Sequence, residues 1–117
     1  MPMRPEQVDP RQRGPEMADR PTERQVAAQL AELYERSFGG KERGRYRVSM
    51  KHLRVLTKRK RLPSTLLRRI AEELFELGYV LVDMETFFVV LAQRTFTSYR
   101  RVSDGAVLGL IGPRDPV

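Results

Sequence analysis

Residues Thr57 to Leu74 read TKRKRLPSTLLRRIAEEL and hold six cations. Lys58, Arg59, Lys60 and Arg61 are consecutive, and Arg68 and Arg69 follow one helical turn after the hydroxyls of Ser64 and Thr65. Clustered Lys and Arg neutralise phosphates, and each contact adds about −0.9 to the log–log slope of affinity against salt. Arginine is also the side chain that most often reads guanine in the major groove. A charge run of this kind otherwise serves as a solvated connector. The order of charge after the run separates the two readings. On a helix starting at Pro63, cations come first and Glu72, Glu73 and Glu76 come last. That opposes the helix dipole by ~0.3–1 kcal/mol per charge. The pairs Arg68–Glu72 and Arg69–Glu73 also run in the weaker i,i+4 direction. Helix stability does not select this order. An anion at the helix N-terminus does, because backbone N–H groups, Ser64, Thr65 and the arginines then face one ligand.

The whole chain sharpens the contrast. Net charge is +7 over 117 residues, and ten of the 22 Lys and Arg fall in residues 41–61 beside a single acid, Glu42. Outside that block acids outnumber bases. Such concentration is the electrostatic footprint of a polyanion partner. Arg45, Arg47, Lys51 and Arg54 belong to the same block and are candidate positioning contacts to phosphate. Hydrophobic content is 40%, a little under the ~45–50% of ordinary domains, which implies that part of the chain stays unfolded. The chain has no cysteine and one histidine, His52, so thiolate chemistry and cysteine-based metal sites are excluded. No apolar stretch approaches the ~20 residues of a membrane span, and the N-terminus lacks a signal-peptide core. The expected location is cytoplasmic, with no membrane partner and no cofactor.

The elements that must position these cations follow from periodicity. Residues 1–20 carry four prolines and few large apolar groups and are expected to be a disordered tail. Thr22 to Phe38 reads as a helix, with Val26, Leu30, Leu33 and Tyr34 on one face, a Thr22/Gln25 capping box, and Gly39–Gly40 as its end. Tyr46 to Ser49 alternates as a short strand. Ser49 caps a helix over Met50 to Leu56 with Met50, Leu53 and Leu56 inward. Pro63 suits the first position of the next helix, 63–77, whose stripe is Leu67, Ile70, Leu74 and Leu77, with Leu66 and Phe75 in support; Gly78 ends it. Tyr79–Val82 and Phe87–Leu91 are strands around a turn at Asp83–Thr86. Beyond Ala92 the pattern weakens. RTFTSYRRV extends the strand or forms an irregular cover, and Ser103–Asp104 caps a short apolar segment, Ala106 to Ile111. The expected domain spans 21–103, with a partly ordered tail over 104–117.

This order resembles the winged helix-turn-helix family across Thr22 to Ala92. The likeness is carried by YRVS entering a capped helix, by the basic connector before LPSTLLRRIAEELFELG, and by the apolar hairpin YVLVDMETFFVVL after Gly78. It implies an α+β fold of three helices, a short strand and a two-stranded hairpin wing. It also implies that the helix 63–77 docks in the major groove of double-stranded DNA, with the wing, Asp83 to Phe87, beside it. Arg68 and Arg69 would then read bases or phosphates, Ser64 and Thr65 would hold the backbone, and Lys58 to Arg61 would anchor phosphates. The expected role is a transcription regulator or DNA-maintenance accessory factor, nucleoid-associated.

The wing speaks partly against DNA. Asp83 and Glu85 are acids, and no Lys or Arg occurs between Arg69 and Arg94. Like charge repels a phosphate backbone. The hairpin is also apolar on both faces, read as Val80, Val82, Phe88 and Val90 on one side and Tyr79, Leu81, Phe87, Val89 and Leu91 on the other. An uncovered face would be a large apolar patch. Its cover is the first helix, a second chain, or the C-terminal segment with Phe96, Tyr99, Val102 and Ala106 to Ile111. The alternative is therefore a protein-interaction module, with Phe88, Val90 and Tyr99 as candidate interface residues. RNA binding is a third reading, weakened because Tyr46 is the lone aromatic of the basic block. No phosphate loop, nucleophile triad or metal spacing occurs, so no enzymatic activity is expected.

Overall fold

The computed structural model of the protein describes residues 20–112. The expected tail over residues 1–19 and the last five residues lie outside them. The elements are α1 (Glu23–Glu35), β1 (Tyr46–Ser49), α2 (Met50–Thr57), α3 (Ser64–Glu76), β2 (Tyr79–Asp83), β3 (Phe87–Ala92), a 3₁₀ helix (Gln93–Ser98) and α4 (Asp104–Ile111). The fold is α+β, with a three-stranded antiparallel sheet in the order β1-β3-β2.

Local chemistry sets each boundary. The Thr22 hydroxyl accepts from the Gln25 N–H and the Gln25 side chain accepts from the Thr22 N–H, so both halves of the capping box form. α1 stops at Glu35, three residues before the expected Phe38, because Arg36 is already extended. Phe38 then pairs with Lys41 across Gly39–Gly40, whose φ values of 62° and 80° fit a tight two-residue turn. The Ser49 hydroxyl accepts from the His52 N–H at 3.0 Å and starts α2 directly from β1. α3 begins at Ser64, with Pro63 as the residue before it, since Pro63 keeps an extended ψ of 153°. Gly78, at φ 97°, turns the chain from α3 into β2.

The core lies between the three helices and one face of the sheet. α1 contributes Val26, Leu30 and Tyr34, α2 contributes Leu53, and α3 contributes Leu66, Ile70 and Leu74. The stripe of α3 is therefore rotated from the expected one. Leu66 replaces Leu77 within it, and Leu77 and Phe75 are exposed, the latter at 58%. Val48, Phe88, Val90 and Ala92 supply the sheet side. Fully burying a side chain such as Phe88 stabilises by about 1.5–3 kcal/mol.

The register corrects the expected hairpin faces. Leu81 stands opposite Val90, and Asp83 opposite Phe88. Tyr79 and Leu81 therefore share the inner face with Phe88, Val90 and Ala92. Val80, Val82, Phe87, Val89 and Leu91 share the outer face. Phe88 and Val90, expected at an interface, are 0% exposed. The register pairs odd-numbered residues of β2 with even-numbered residues of β3, so the β2 residues, and not those of β3, lie on the opposite side from the one expected. No helix among the described residues is long and apolar enough to cross a membrane.

Candidate nucleic-acid interface

The connector between α2 and α3 is shaped by its first cation. Lys58 ends α2 in a left-handed conformation (φ 56°, ψ 39°), and the turn is closed by the Lys58 N–H to the Val55 carbonyl and the Arg59 N–H to the Arg54 carbonyl. Glycine is the usual residue there, and a side chain costs about 1–2 kcal/mol. The buried Thr57 donates its hydroxyl to the Arg54 carbonyl at 3.1 Å, which satisfies its polar atom. Lys58, Lys60 and Arg61 are exposed, and Arg59 is half-buried. None of the four forms an ion pair among the described residues.

The N-terminus of α3 follows at once. Pro63 provides no side-chain cap, so the first N–H groups of the helix have no partner from the residue that usually supplies one. Ser64 and Thr65 are exposed beside them. Arg68 is exposed and forms no ion pair among the described residues, whereas Arg69 leans toward α1, with Nη1 3.8 Å from Glu23. Glu73 also turns to α1, where Arg24 reaches it at 3.4 Å. Neither Arg68–Glu72 nor Arg69–Glu73 closes as an i,i+4 pair among the described residues. The structure thus brings together Lys58 to Arg61, Ser64, Thr65 and Arg68, and turns Arg69 aside. The far half of the same helix face carries Glu72, Phe75 and Glu76, which surround a shallow cleft with Arg68 and Ala71.

A second basic cluster was not apparent from the sequence. Arg36, Lys41, Arg43, Arg45 and Arg47 line an open cleft of about 510 Å³ together with Phe38 and Tyr46. Its signal was the Gly39–Gly40 turn, which folds the 36–47 segment back on itself. This cluster is largely occupied. Arg43 is held by Glu35, whose hydrogen bond and charge raise the guanidinium above its ordinary pKa. Arg36 pairs with Glu32 at 2.6 Å, and Arg47 lies 5.8 Å from the Phe87 ring on the outer sheet face. Tyr46 donates its hydroxyl to the Leu30 carbonyl at 2.6 Å, and burial pushes its pKa well up, helped by Tyr79. Lys51, Arg54 and His52 are exposed on α2.

The turn between β2 and β3 is short. The Asp83 carboxylate accepts from the Glu85 N–H at 2.7 Å, and Glu85 adopts φ 71°. Asp83 thereby shapes its own turn. Among the described residues no group of three or more His, Asp or Glu could hold a metal ion. No family model, curated protein or solved structure matches the chain.

Proposed function

We propose that this is a small winged helix-turn-helix protein that binds double-stranded DNA, as a transcription regulator or a DNA-maintenance accessory factor. The fold reading is supported by the order α1-β1-α2-α3-β2-β3 with β1 beside β3. The observation that carries the function is the convergence at the start of α3. Cations at Lys58, Lys60, Arg61 and Arg68, which form no ion pair among the described residues, flank a helix N-terminus without a side-chain cap, next to two exposed hydroxyls. A phosphate there meets N–H donors, hydroxyls and guanidinium together. α3 then lies in the major groove with Arg68 toward base edges, and Glu72 and Glu76 further out.

The exposed Phe75 between Glu72 and Glu76 favours a second reading, in which this half of α3 contacts a protein. The test is binding to random-sequence duplex at 50 and 200 mM salt, with a variant carrying serine at Lys58 to Arg61. A drop of about 10²-fold between the two salts, flattened in the variant, supports DNA binding. No binding at low salt makes the run a solvated connector and leaves the protein-contact reading.

A further inference from the structure

Among the described residues, two apolar surfaces have no element packed over them. The first is the outer sheet face. Val80, Val82, Phe87, Val89 and Leu91 lie together there by register, each only half-buried, while α1, α2 and α3 pack on the inner face. The second is α4. Its sequence DGAVLGLI has no charge after Asp104, none of its residues is buried, and Leu110 is 90% exposed. Apolar area of this extent is rarely left open on a monomer.

The two surfaces match in size and charge. An eight-residue helix is about 12 Å long and about 10 Å wide with its side chains. The apolar part of that face belongs to β2 and β3, two strands about 4.8 Å apart and up to about 20 Å long, which one such helix covers, with Arg47 of β1 along its edge. Arg100 and Arg101 precede α4, and the acids Asp83 and Glu85 stand at the hairpin tip. None of these four forms an ion pair among the described residues. α4 does not use its own sheet, since both surfaces stay open in the same chain.

We propose that the protein forms a two-fold dimer by exchanging C-terminal arms, with α4 of each copy lying on the outer sheet face of the other. A two-fold exchange makes both contacts identical and closes the assembly. At roughly 300 Å² per surface, two reciprocal contacts bury about 1,200 Å², the lower end of a standard stable interface. This inference is independent of the DNA reading.

The test is sedimentation of the full chain and of two variants, Leu110→Glu on the arm and Val89→Glu on the sheet. Both sites are at the surface, and circular dichroism checks that the fold survives. Each variant alone should raise the dimer dissociation constant at least tenfold. Mixing the two should give a heterodimer tighter than either variant's homodimer but weaker than the parent, because one of its two contacts, the intact arm on the intact face, is unaltered. A dimer weakened by only one of the two variants and unchanged by the other overturns arm exchange in favour of sheet-to-sheet or arm-to-arm contact. A monomer at all concentrations overturns it as well, including one that floats with anionic vesicles. The chain has no cysteine, so Val89→Cys with Leu110→Cys gives a clean second measurement. Oxidation should link two chains, and a bond formed only within one chain overturns the proposal.

Discussion

The loop cluster around Arg36 to Arg47 and the turn cluster around Lys58 to Arg61 carry similar charge, yet they differ in availability. In the loop, Glu32 and Glu35 hold Arg36 and Arg43, and Phe87 sits under Arg47. In the turn, none of the four cations forms an ion pair among the described residues. Net charge is thus a poor guide to binding surface within one basic block. What counts is which cations the fold has already neutralised.

Serine at Lys58 to Arg61 should weaken duplex binding by about 10²-fold at 50 mM salt and lower the salt slope by about 3, measured by fluorescence anisotropy. Removing Arg36 and Arg43 together should change affinity by less than about threefold. An equal loss from both variants would erase the contrast. Next, Arg68→Ala should cost about 1–3 kcal/mol of binding at a selected site, and Arg69→Ala clearly less, because Arg69 leans toward Glu23. A reversed ranking would place the DNA on the α1 side of α3.

Tyr46 sharpens the structural role of the loop. Tyr46→Phe removes its hydrogen bond to Leu30 and should cost about 1 kcal/mol in urea unfolding at pH 7. The folded-state pKa of Tyr46 is raised, so its protonated form is the one the fold favours. Its contribution is complete below the model-compound value of 10.0 and is lost as pH rises above it. The phenylalanine variant should therefore lose less stability than the parent between pH 10 and pH 11. Lys58→Gly has the smallest effect. It should add about 1 kcal/mol of stability by relieving the left-handed lysine, while removing one phosphate contact. A loss of stability would show that the Lys58 side chain packs rather than binds.

Much of the fold was legible because its signals are local. The Thr22 capping box, the Ser49 cap and the Gly78 stop each involve residues within one turn of chain, and each formed where the residue types required. The hairpin faces were not legible for a different reason. Every position from Tyr79 to Val82 and from Phe87 to Leu91 is apolar, so alternation alone does not say which set faces inward. That depends on the pairing register, and a one-residue slip moves the whole β2 set to the other side. The exposure of Leu77 and Phe75 depends likewise on where α1 and β2 touch α3. In the candidate site, the run Lys58 to Arg61 is plain in the sequence. The turning aside of Arg69 is not, because its partner Glu23 lies 46 positions away.

The acids at the hairpin turn have a further consequence, which concerns the chain before it folds. From Leu77 to Gln93, Asp83 and Glu85 are the only charged residues. Newly made or denatured, this segment is a long β-prone stretch of low charge, the kind that associates into cross-β aggregates. Two carboxylates at its centre split it into shorter pieces that repel their counterparts in neighbouring molecules. Neutralising them should leave the native state nearly unchanged while lowering the yield of concentrated refolding. The charge that a phosphate-binding wing would avoid thus protects the hairpin on its way to the fold.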